Sequence, residues 1–186
     1  MPDANDGPTS QKRRVVIAKA KDARDVTEEM MPREGLTETS AAAAMRMAEA
    51  GGVDGAFLKL LFEDETSGVS LSYVWFKPNF VLPRHSHNAD CTYYVIAGEA
   101  RFGTETLKAG DVFFVPADVN YAYEAGPDGV EILEFRTATR FNMKISNLGE
   151  AFVERAMKAI TENRDRWRTM EAPEAVKRFS ADPADA

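Results

Sequence analysis

The chain has 186 residues, 44% of them hydrophobic, and a formal net charge of −7; that is enough apolar material for one domain with a core and too little for two. The acidic balance argues against a nucleic-acid backbone or an anionic membrane as the main partner, and no apolar run approaches the roughly 20 residues of a membrane span. A single cysteine excludes a disulfide scaffold and a Cys-rich zinc module, and with no hydrophobic signal region in the polar residues 1–14 a reduced cytoplasmic setting is expected.

Residues 1–14 (MPDANDGPTSQKRR) read as a flexible polar tail, and Val15, Val16 and Ile17 as a short strand. Thr39 and Ser40 before AAAAMRMAEA, with Gly51 and Gly52 after it, predict a capped helix near 39–50. Between residues 56 and 136, short β-branched and aromatic runs (FLKLLF, VSLSYVWF, TYYVIAG, VFFVPAD, VEILEFR) alternate with turn residues at the spacing of an all-β sandwich or barrel. Past residue 140 the period lengthens. Asn147 with Glu150 makes a capping-box pattern. Leu148, Phe152, Ala156, Ile160 and Trp167 form one apolar stripe opposite charges of both signs, which predicts an amphipathic helix on the outside of a barrel or across a dimer. From residue 173 on the chain reads as a loosely held tail. The expected organisation is a tail (1–14), one β domain that includes the first helix (15–140), and a C-terminal helical extension and tail (141–186).

The only two histidines are His85 and His87. On a strand, residues two apart point to the same face, so both imidazoles project together. Two rings on one face are the beginning of a metal site suited to Zn, Cu, Fe or Ni. Asn88, Ala89 and Asp90 then make a turn, after which Cys91, Tyr93 and Val95 share the face of a return strand brought beside the histidines. Cys91 reads equally well as a buried small side chain.

These residues resemble the cupins, in particular the small single-domain RmlC-like members, with a degenerate metal motif. The first cupin motif, G-x5-H-x-H-x3,4-E-x6-G, reads here Asn79, His85, His87, Cys91 and Gly98. The second, G-x5-P-x-G-x2-H-x3-N, reads Gly110, Pro116, Asp118, Tyr121 and Ala125. The likeness spans about residues 70–136. It implies an all-β jelly-roll barrel with a few peripheral α-helices, notably the C-terminal amphipathic one. Asn79 and Asp118 stand where glycine is usual, and both residue types tolerate left-handed backbone.

Metal-binding cupins use three histidines and a glutamate; here Cys91 holds the glutamate position and Tyr121 the third-histidine position. Three readings stay open. A metal is held by His85 and His87 with Cys91 or Tyr121 completing the set; or Asp90 supplies a carboxylate from the turn; or the metal is lost and the pocket binds an organic ligand by hydrogen bonds. The resemblance implies first a metal-dependent enzyme acting on a small organic molecule, a dioxygenase-type oxidoreductase. It would hold a divalent transition metal (Zn, Fe, Cu, Ni or Mn), with Tyr121 as general acid or base and Tyr93 and Tyr123 lining the substrate. The alternative is a non-catalytic small-molecule-binding or sensing cupin without metal. Near the end of the β region, Glu134 and Arg136 alternate with Leu133 and Phe135, and one set must face inward. A homodimer is expected from the apolar residues 15–18 and the C-terminal helix. A small-molecule ligand, with no nucleic acid and no membrane, completes the expected partners.

Overall fold

A computed structural model of the protein describes residues 14–146 and 148–179. Along the described chain run β1 (Arg24–Asp25), β2 (Arg33–Glu34), α1 (Glu38–Glu49), β3 (Ala56–Asp64), β4 (Val69–Phe76), β5 (His85–Ser86) and β6 (Cys91–Phe102). Then come β7 (Glu105–Lys108), β8 (Val112–Val115), β9 (Glu124–Arg136), β10 (Met143–Ile145), α2 (Glu150–Thr169) and α3 (Glu174–Phe179).

The larger sheet has the order β1-β3-β4-β9-β6-β7, with β8 also on β6, and all its pairings are antiparallel. Its spine is the long pair β6 and β9, running from Cys91 opposite Arg136 to Arg101 opposite Glu124. The register slips between Val95 and Ala97 and again between Gly98 and Ala100, and Gly98 sits at φ +71, where a Cβ would lie 2.1 Å from the Gly129 carbonyl oxygen. No side chain fits that crossing, which gives this motif glycine a physical reason. Asn79 and Asp118 are left-handed (φ 59 and 62), as their residue types suggested. A smaller sheet, β2-β10-β5, pairs Ile145 with His85.

The expected all-β jelly-roll barrel does not form. The sheet stays open and uncurled, and helices make up 27% of the described residues, so the fold is mixed α/β. Its end strands, β1 and β7, do not meet, and β1 is only two residues long. Helices supply the missing side. The stripe of Leu148, Phe152, Ala156, Ile160 and Trp167 turns inward to wall a cavity over the sheet, so α2 is neither peripheral nor left on the outside. Polar pins hold it there: the Trp167 indole donates to Pro78 O at 2.9 Å, Lys77 Nζ to Trp167 O at 2.5 Å, and Asn79 Nδ2 to Asn163 Oδ1 at 3.1 Å. An apolar helix face needs a buried partner, and the open sheet needs a cover; each satisfies the other.

Local signals landed close to where the structure has them. Helix α1 is capped by Thr37, two residues earlier than expected, in a reciprocal box with Ser40 (3.2 and 2.8 Å). The N-cap of α2 is Gly149, and the Asn147 pattern lies outside the described residues, as do residues 1–13. Val15, Val16 and Ile17 form no strand and are exposed. Of the tail expected after residue 173, residues 174–179 are held rather than loose: on α3, Val176 is buried and Phe179 packs on Phe57 and Tyr73 at 6.1 and 5.1 Å between ring centroids; residues 180–186 lie outside the described residues.

Candidate functional site

Backbone pairing brings the histidine region and the second motif together. His85 N donates to Tyr121 O (3.0 Å) and Tyr121 N to His85 O (2.9 Å), and the Asp118 amide donates to His87 O (2.7 Å). The two imidazole centroids lie 5.0 Å apart, and Tyr121 is 4.4 Å from His85. Both rings are buried and line a cavity of about 390 Å³ between the sheet and helices α1 and α2.

The last strand settles which alternating set faces in. Glu134 (7% exposed) and Arg136 (3%) point inward while Phe135 (44%) lies outside. Arg136 Nη1 donates to Glu134 Oε2 at 2.7 Å, and both residues line the cavity beside His85, His87, Tyr121 and Tyr123. The guanidinium also lies 4.2 Å from the Phe141 ring. Burial alone would lower the Arg136 pKa, but Glu134 holds it above its ordinary value, so the cation is retained.

The imidazoles are held neutral. Burial pushes His85 down, and burial with the nearby Arg136 charge pushes His87 down to about 3. Each Nδ1 faces a backbone carbonyl, Pro83 O for His85 (2.7 Å) and Asn142 O for His87. A carbonyl only accepts, so Nδ1 carries the proton in both rings and Nε2 is the bare acceptor. Asn142 is itself fixed by paired bonds with Asn88 at 2.8 and 3.0 Å.

The other candidate ligands are engaged elsewhere. Cys91 and Tyr93 belong to the core beneath the cavity and do not line it. Burial pushes the Cys91 thiol up to about 12, which disfavours the thiolate that binds metal. The Tyr121 hydroxyl is hydrogen-bonded to that of Tyr93, and burial raises both phenols. The Asp90 carboxylate accepts from the Ala117 amide (2.8 Å), as a turn brace. Among the described residues, no three His, Cys, Asp or Glu side chains come together to hold a metal ion. The donor set does not fit a divalent Zn, Fe, Cu, Ni or Mn cofactor. This corrects the expectation of a metal-binding, dioxygenase-type oxidoreductase, and the enzyme expectation that rested on it.

Tyr121 and Tyr123, with both histidines, do line one cavity. Sequence reading left the roles of Glu134 and Arg136 undecided and missed the helical wall altogether. The Tyr123 hydroxyl and Arg136 Nε are buried without a hydrogen-bond partner among the described residues, which leaves the polar corner incompletely satisfied.

No curated protein matches the chain. An RmlC-like cupin from Shewanella frigidimarina is 24% identical over 45% of this chain and 76% of its own, with a TM-score of 0.41. KdgF from Halomonas sp. is likewise 24% identical, over 45% and 79%, with a TM-score of 0.40. The polyketide cyclase RemF from Streptomyces resistomycificus is 17% identical over 81% of this chain and 99% of its own, with a TM-score of 0.49. The family model described as the ChrR Cupin-like domain matches residues 35–139, more than half of the chain, including α1 and strands β3 to β9. The chain belongs to the ChrR cupin-like domain family of the cupin superfamily, as a member whose metal motif has degenerated.

Proposed function

We propose that the protein binds a small organic molecule in the cavity without a metal, as a binding or sensing domain. The observation that carries this reading is the cavity's two-part chemistry. Its walls are apolar, from Met47, Phe76, Phe80, Ile160 and Trp167, and one corner is polar, with two neutral histidines and the Glu134–Arg136 pair. Its volume of about 390 Å³ falls in the roughly 300–1,000 Å³ range of small-molecule sites, which combine apolar walls with a few placed polar groups.

The test is a thermal-shift screen of neutral fragments on the native protein and on Ala159→Phe, which fills the cavity from α2. Stabilising fragments should lose their effect in the filled protein. Fragments that shift both proteins equally, or none that shifts the native one, would refute the reading.

Two further features complete the proposal. No helix of the described residues is long and apolar enough to cross a membrane, and a cytoplasmic setting is kept as part of the proposal. Val15, Val16 and Ile17 are exposed, and β8, which pairs with β6, presents exposed Val112 and Phe114. Such an arm and such a strand support a homodimer; a monomer mass by analytical ultracentrifugation at micromolar concentration would refute that part alone.

A further inference from the structure

The polar corner of the cavity is rich in acceptors. Both histidines carry their proton on Nδ1, spent on Pro83 O and Asn142 O. Each Nε2 is left as a lone pair with no protein partner among the described residues, and neither is sealed from access. Glu134 Oε2 takes the Arg136 bond, while Oε1 has no partner and is not sealed either. Three acceptors therefore open on the cavity; the donors of the corner are the rest of the Arg136 guanidinium and the Tyr123 hydroxyl, and that hydroxyl, like Arg136 Nε, is sealed from access.

Charge narrows the ligand further. The histidines are neutral, and the one cation of the corner lies 2.7 Å from the one anion. An anionic ligand would meet three lone-pair acceptors and an arginine already neutralised. A cationic ligand would meet Arg136 itself. Desolvating either charge without a dedicated counter-charge is expensive. An uncharged hydroxyl suffers neither penalty, and it supplies the hydrogen that the imidazole nitrogens lack. The aromatic and aliphatic walls (Phe76, Phe80, Trp167, Met47, Ile160) fit a flat apolar body behind it.

We propose that the cavity takes an uncharged molecule with an apolar, ring-sized body and a terminal hydroxyl, whose hydrogen is donated to Nε2 of His85 or His87. This rests on the cavity-binding reading above and adds the chemical class of its ligand.

The experiment is a fluorescence titration of the full chain with three probes that share a body: 1-naphthol, 1-methoxynaphthalene and 1-naphthoate. Naphthol should bind about tenfold more tightly than the ether, the worth of one good hydrogen bond in a dry site. In His85→Phe/His87→Phe that preference should shrink to about threefold or less while the ether still binds. The native protein alone decides the question if the double variant does not fold. Equal affinity for naphthol and its ether would overturn the donor assignment and leave cavity binding intact. Tightest binding of naphthoate would also overturn it, with Arg136 as the anchor instead. Failure of all three to bind would overturn the cavity reading and this one with it.

Discussion

Acidification should weaken the fold through its two histidines before any carboxylate is fully titrated. His87 is held down to about 3 in the folded chain by burial and by Arg136, against roughly 6.5 for an unfolded histidine. Below 6.5 the unfolded chain takes a proton that folded His87 refuses, so stability falls as pH drops from 6.5 towards 3 and is flat above. Each pH unit inside that window is worth ~1.4 kcal/mol. Moving from pH 7.5 to 5 should therefore cost about 2 kcal/mol through His87 alone, and His85, also pushed down, adds loss of the same sign. These are the only histidines in the chain, which isolates the effect. Urea denaturation at pH 7.5, 6.5 and 5.0 on the native protein and on His87→Gln measures it. The variant should lose about 2 kcal/mol of the pH dependence. A native stability that stays level down to pH 5, or a variant that keeps the full slope, would show that His87 is not held neutral by burial.

Three other outcomes follow from the same corner and its floor. Arg136→Met strands the Glu134 carboxylate and should cost about 3–5 kcal/mol in chemical denaturation, whereas Glu134→Met/Arg136→Met should recover most of it; equal losses in both would contradict the pairing. Cys91 is buried and its thiol is pushed up to about 12, so it should ignore a thiol reagent at pH 8 until guanidinium unfolds the chain. Native reaction within seconds would place it at the surface. Gly98→Ala should destabilise by at least ~2 kcal/mol, since its Cβ would meet the Gly129 carbonyl at 2.1 Å; a change in urea midpoint too small to measure would mean that this crossing relaxes easily.

What could be read from the sequence was local. The spacing of His85 and His87 put both rings on one side, and they do share one cavity. Asn79 and Asp118 at glycine positions predicted left-handed backbone, which both adopt. The order of short strands and the two motifs pointed to the family. The orientation of β9 was not legible, because alternation fixes which residues share a face and not which face is buried. Hydrophobicity misleads there: Phe135 is outside while Glu134 and Arg136 are inside. Pairwise compensation between two charges on one strand overrode the ordinary preference. The fate of α2 was equally hidden. Its apolar stripe announced that something would be covered, and only the gap between β1 and β7 determined that this would be the open side of the sheet. The metal expectation failed for a related reason. Cys91 and Tyr121 stand at the right places in the motif, yet one lies in the core and the other is spent on Tyr93.

That α2 forms the far wall ties ligand occupancy to chain order. The strands through residue 136 emerge from the ribosome first, and the chamber they bound has no roof until Trp167 and its neighbours arrive and dock. An occupant touching both halves would bind the roofed state and not the roofless one, so it would slow amide exchange along residues 150–169 by the same factor that sets its own affinity gain. Occupancy would then have a mechanical output: the freedom of α2.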